Sequence, residues 1–136
     1  GDGKLLKKYQ KYISKNKMNN VKIIDYLNRE DLFRLYQSAD TFITLAKEDI
    51  FGQTTLEALA NGLPVISSNK VNSSLEYIND GYNGFIVDIN DMHQIYESIK
   101  NSYDLLGENA IDSIKGITFE ACAKQVFEIL KGLKNE

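Results

Sequence analysis

Asp49 and Glu57 lie in the densest run of chemistry-bearing residues in the chain: Lys47, Glu48, Asp49, Ile50, Phe51, Gly52, Gln53, Thr54, Thr55, Leu56, Glu57. Gly52 lets a backbone approach a ligand closely, and a helix opening just after it presents N–H groups and the positive end of its dipole to an anion such as a pyrophosphate. Glu57 then lies about one turn inside that helix. From there its carboxylate can accept from two vicinal hydroxyls beside a bound phosphate. The same residues admit a plainer reading, in which Asp49 precedes a turn and Glu57 favours the helix N-terminus electrostatically. Residue types and spacing alone leave both readings open.

To hold such a loop the chain needs strands that end beside it, and four short runs rich in Val, Ile, Phe or Thr read as buried strands: residues 21–24, 41–46, 64–68 and 84–88. Helical patterns lie between them. Asn28 caps a helix carrying Leu32, Phe33, Leu35 and Tyr36, with Asp31 at its third position. A helix over residues 54–61 ends at Gly62 and Pro64, the residue types expected just past a helix C-terminus. The polar stretch 69–74 is a loop leading into a short helix over 74–79, which Asp80 and Gly81 end. Met92, Ile95, Tyr96, Ile99, Tyr103 and Leu106 then fall at helical spacing, and so do Phe119, Cys122, Ala123, Val126, Phe127 and Leu130 behind a Thr118 cap. Both stripes read as core. Strands alternating with helices predict an α/β fold with a parallel sheet and helices on both faces. In such a sheet ligands sit outside the carboxyl ends of the strands, and the loop after 41–46 is in that place.

The 136 residues, with a net charge of -3 and 43% hydrophobic residues, fit a single domain over 1–136. A chain of this size buries roughly 70% of its unfolded surface and needs no disulfide or metal to fold. Cys122 reads as a small buried hydrophobe, and a lone cysteine excludes an internal disulfide and a cysteine zinc site. His93 reads as exposed, and one histidine defines neither a triad nor a metal site. The mildly acidic balance argues against nucleic acid as a partner. Lys4, Lys7, Lys8 and Lys11 alternate with Leu5, Leu6, Tyr9 and Tyr12 as the wet face of an amphipathic helix. No apolar run reaches the roughly 20 residues of a membrane span, nor is there a secretory h-region, which points to the cytoplasm, with peripheral contact at the inner face of the membrane open to a longer protein. Neither a Gly-x-Gly-x-x-Gly after a strand nor a P-loop is present, which disfavours dehydrogenase and phosphoryl-transfer chemistry.

Asp49-x7-Glu57 with Phe51, Gly52 and the run Leu56-Glu57-Ala58-Leu59-Ala60-Asn61-Gly62-Leu63-Pro64-Val65-Ile66 resembles the E-x7-E signature of retaining glycosyltransferases of family 4, the group 1 transferases with the two-domain GT-B fold. Leu35-Tyr36-Gln37-Ser38-Ala39-Asp40 is similar to the helix end before that family's strand. Glu76-Tyr77-Ile78, Asp80-Gly81 and Asn83-Gly84-Phe85-Ile86-Val87 are similar to the segment after it. The resemblance covers nearly the whole chain and implies the C-terminal, donor-binding domain of a transferase that moves a sugar from a UDP- or GDP-linked donor to a glycan or a lipid-linked acceptor. By that resemblance Glu57 holds the donor ribose, backbone N–H groups over Gly52, Gln53, Thr54 and Thr55 meet the sugar and pyrophosphate beside Ile50 and Phe51, and the first acidic position holds a sugar hydroxyl. That position is Asp49 where the family has Glu, with Glu48 next to it, and both remain candidates for the sugar contact. The implied chemistry is a front-face displacement assisted by the donor's own phosphate, so the protein's part is electrostatic and positional, with no cofactor and no metal.

The resemblance also implies absences. The Arg and Lys that neutralise the donor diphosphate and the acceptor-binding N-terminal domain would precede this chain, and Lys47 and Lys70 read as exposed lysines rather than substitutes. The chain alone is then expected to transfer no sugar. With a sheet of order 3-2-1-4-5-6 the Rossmann-like domain would lack its first two strands. That predicts either a dimer through the bare edge of 41–46 or pairing of 21–24 along it. Two other readings stay open: a nucleotide-sugar-binding module without turnover, and a nucleotide-sugar epimerase of similar fold.

Overall fold

From Phe42 onward the expected alternation of strands and helices is present in the computed structural model, which describes residues 3–133. The chain divides into two compact units, Gly1–Leu35 and Tyr36–Glu136.

The first unit carries α1 (Leu6–Lys15) and most of α2 (Arg29–Gln37). The lysines of α1 are exposed as expected, but so are Leu5, Tyr9 and Tyr12. Tyr9, Ile13, Met18, Val21 and Ile23 line an open apolar hollow of about 510 Å³. The start of α2 follows the capping expectation: the Asp31 N–H donates to Asn28 Oδ1 at 2.9 Å and Asn28 Nδ2 donates to Asp31 Oδ2 at 2.8 Å. One expectation fails in this unit. Among the described residues, 21–24 form no strand, so the strand expected there is absent. A run of β-branched residues becomes a strand only when a neighbour completes its ladder, and here Val21 N–H instead closes a turn onto the Met18 carbonyl.

In the second unit β1 (Phe42–Thr44), β2 (Val65–Ser68) and β3 (Gly84–Val87) form a parallel sheet in the order β1-β2-β3. This is the run 4-5-6 of the expected topology. α3 (Gln53–Ala60) and α4 (Asn72–Tyr77) are its crossovers. α5 (Met92–Ser102) covers the face where Ile66, Phe85 and Val87 meet Ile95 and Ile99. The N-cap Asp91 accepts from the Gln94 N–H, and the Gln94 side chain binds the end of β3 through the Asp88 N–H and the Ile86 carbonyl. α3 ends in a Schellman turn, since Gly62 at φ +78 donates to the Leu59 carbonyl and Leu63 to that of Ala58. The helix expected over 74–79 instead spans Asn72–Tyr77, two residues earlier, because its first turn is held by the Val71 carbonyl.

The two C-terminal stripes are corrected. The first breaks after Ser102, where Gly107–Ser113 forms a separate α6. Of its six residues only Ile95 is buried and Ile99 partly so, while Met92, Tyr96, Tyr103 and Leu106 are exposed. α7 (Phe119–Leu133) has the expected Thr118 cap, donated to by the Ala121 N–H, yet Cys122, Val126 and Phe127 are exposed rather than core. The side chains of Phe119 and Leu130 lie outside the described residues. Helical spacing locates an apolar stripe; it does not supply the surface that covers it.

Candidate functional site

The loop from the end of β1 to the start of α3 is built by backbone closure around one carboxylate. Asp49 Oδ1 accepts from the Gly52 N–H at 2.7 Å and from the Phe51 N–H at 3.2 Å, which fixes the loop 49–52 as a turn. The Asp49 backbone joins the next loop of the sheet: its N–H donates to the Lys70 carbonyl and its carbonyl accepts from the Asn72 N–H. Ser68 completes the join by donating to the Ala46 carbonyl at 2.6 Å. The loops after β1 and β2 therefore form one layer at the carboxyl ends of the strands, where an α/β sheet binds ligands.

Gly52 is the pivot of that layer. It has φ +69 and is the N-cap of α3, and a Cβ there would collide with Ser73 Oγ and Val71 Cγ1. Only glycine takes both this dihedral and this proximity without strain. Ser73 Oγ donates to the Gly52 carbonyl at 2.7 Å, and Thr55 Oγ1 and Ser74 Oγ share a hydrogen bond of 3.0 Å in a fully buried position. The first turns of α3 and α4 are thus locked together. Among the described hydrogen bonds none uses the N–H of Gln53 or Thr54. These two donors, at the positive end of α3, are what the loop offers an anion.

Glu57 lies half-buried about one turn inside α3. Tyr36 Oη donates to Glu57 Oε2 and Gln53 Nε2 to Glu57 Oε1, both at a long 3.4 Å. Tyr36 is buried, its ring edge-on to Phe42 with centroids 5.8 Å apart. Burial first, then the charge of Glu57 and its hydrogen bond, push the Tyr36 phenol above the ordinary tyrosine range, so it remains a donor.

The structure brings Asp49, Gly52, Gln53, Thr54, Thr55 and Glu57 into one loop-and-helix unit, but with different duties. Thr55 is wholly buried, with its hydroxyl on Ser74, and Asp49 Oδ1 is committed to the loop backbone. Glu48, Ile50 and Phe51 are exposed. So are Lys47, Lys70 and His93, as expected from the sequence. Among the described residues no group of His, Cys, Asp and Glu is arranged to hold a metal ion. No described helix is long and apolar enough to cross a membrane. Reading by residue type passed over Tyr36 as a support for Glu57, and over Ser68, Ser73 and Ser74. The signal for Tyr36 was a phenol on an apolar helix stripe, since a buried Tyr O–H must find an acceptor.

The sequence profile of the family described as Glycosyl transferases group 1 matches residues 1–105. An uncharacterized glycosyltransferase of Methanocaldococcus jannaschii is 26% identical over 141 residues, covering 99% of this chain and 40% of that protein. In fold, the chain is similar to sucrose-phosphate synthase from Thermosynechococcus elongatus, with TM-score 0.77 and 21% identity over 99% of this chain and 36% of that one. It is also similar to HepE of Anabaena, solved in complex with UDP-glucose, with TM-score 0.69 and 20% identity over 97% of this chain and 38% of that one. The chain spans well under half the length of each of these three proteins.

Proposed function

Because the chain belongs to the glycosyl transferases group 1 family, we propose that it is the donor-binding part of a longer retaining glycosyltransferase, which moves a sugar from a UDP- or GDP-linked donor to a glycan or lipid-linked acceptor. The observation that carries this reading is Glu57, a carboxylate with one protein donor on each oxygen, standing one turn behind the two unused N–H groups that open α3. In this reading the N–H groups of Gln53 and Thr54 meet the diphosphate, and Glu57 accepts from the ribose hydroxyls. The UDP-glucose bound by HepE is a ligand of the class such a site would take.

The loop geometry supports a division of labour between the two acidic residues before Gly52. Asp49 shapes the loop, and exposed Glu48 is the carboxylate available to a sugar hydroxyl. In the transfer step the bond from the sugar's anomeric carbon to the leaving diphosphate oxygen breaks, and a bond to the acceptor oxygen forms on the same face. The acceptor's proton passes to the departing phosphate. This chain's residues supply no proton; they hold the leaving group and the ribose in place and stabilise the charge that develops on the diphosphate. Lys47 and Lys70, both exposed, are given no part in that stabilisation.

The intact protein, incubated with a panel of UDP- and GDP-sugars and candidate acceptors, should release nucleoside diphosphate and form a glycoside with the donor's anomeric configuration. Binding of nucleotide sugars with no turnover on any acceptor would favour a binding module. Inverted product would remove the retaining part of the reading.

A further inference from the structure

We infer that Tyr36 is a positioning residue of the donor site, whose phenol orients the Glu57 carboxylate toward the ribose diol, an inference that rests on the reading of Glu57 given above.

A carboxylate has about four lone-pair sites, two on each oxygen. In this structure one donor reaches each oxygen, Tyr36 Oη on Oε2 and Gln53 Nε2 on Oε1. Two donors on different oxygens restrict how the carboxylate plane can turn about its last bond more than one donor would. One lone pair per oxygen is left, the arrangement that accepts two neighbouring hydroxyls at once. Of the two donors, Gln53 is exposed and Tyr36 is held. Tyr36 is 6% exposed, at the end of α2, with its ring at 79° against Phe42 of β1. The orientation of Glu57 is thereby tied to the sheet itself rather than to its own helix. The phenol's upward-shifted titration keeps it protonated across any ordinary assay pH.

Tyr36→Phe keeps the ring and its contact with Phe42 while removing the hydroxyl. In the intact protein, titration calorimetry with UDP, GDP and their 2′-deoxy counterparts should be run on wild type, Tyr36→Phe, Glu57→Gln and the double variant. Tyr36→Phe should bind the ribonucleotides about three- to tenfold more weakly, within the range for coupled neighbours. It should also lose most of the preference for ribose over 2′-deoxyribose, a ratio that does not depend on how much of a preparation is folded. Adding Tyr36→Phe to Glu57→Gln should change nothing further. If Glu57→Gln loses affinity while Tyr36→Phe keeps both affinity and preference, or if the two effects multiply, the positioning role is overturned and the donor reading stands. If Glu57→Gln itself binds as wild type does, the donor reading falls and this inference falls with it.

Discussion

Ser73 Oγ donates to the Gly52 carbonyl at 2.7 Å and occupies the space that a Cβ on residue 52 would need. The serine and the glycine are therefore one device, which brings the N-termini of α3 and α4 together under the candidate donor loop. Gly52→Ala must take up a left-handed backbone and also displace Ser73 and Val71. Each of these costs about 1–2 kcal/mol or more. We expect Gly52→Ala to lose about 2–4 kcal/mol of stability in urea unfolding and to weaken nucleotide binding in whatever fraction stays folded. A variant as stable as wild type would mean that the loop has another conformation available.

Asp49 tests whether the first carboxylate of the motif is structural. An asparagine at 49 keeps an oxygen for the Phe51 and Gly52 N–H groups; an alanine keeps none. Asp49→Asn should therefore cost a few tenths to about 1 kcal/mol, and Asp49→Ala about 2–3 kcal/mol together with a clear loss of nucleotide affinity. Glu48→Gln should leave stability and nucleoside diphosphate binding unchanged while lowering transfer from the nucleotide sugar. Equal effects of Asp49→Asn and Asp49→Ala on stability would put the role of Asp49 outside the loop backbone.

Tyr36 gives a pH dependence whose sign follows from its raised titration. Below the ordinary tyrosine value of about 10 both folded and unfolded chains hold the proton, and the contribution to stability is complete. Above it the unfolded chain releases the proton while the folded one keeps it, so the unfolded state binds fewer protons and stability falls as pH rises toward the folded value. Urea midpoints measured from about pH 8 to about pH 11 should fall more steeply for wild type than for Tyr36→Phe. Parallel curves would show that the phenol titrates as it does in the unfolded chain.

The sequence carried the α/β class and the caps at Asn28, Gly62 and Thr118 through local residue chemistry, and the order of three strands through the family resemblance. It did not carry the state of residues 21–24 or the exposure of Cys122, Val126 and Phe127, because pairing and cover come from neighbours that local pattern does not name. The candidate loop was visible in outline from Asp49, Gly52 and Glu57. The allocation of duties within it was not, since the Asp49 hydrogen bonds and the Tyr36 contact depend on backbone path and on a residue from before the sheet. A buried tyrosine at the end of α2 reads as apolar until its hydroxyl is seen to reach α3.

The most direct test of the account is titration calorimetry of the intact protein with UDP and with GDP, comparing wild type with Glu57→Gln. Losing the charge weakens charge-assisted hydrogen bonds to the ribose, of order 1.5–3 kcal/mol, so affinity for the preferred nucleotide should fall roughly ten- to a hundredfold with the fold intact. Unchanged affinity in Glu57→Gln would leave Glu57 as an ordinary residue one turn into a helix and would contradict the assignment of this loop as the donor site.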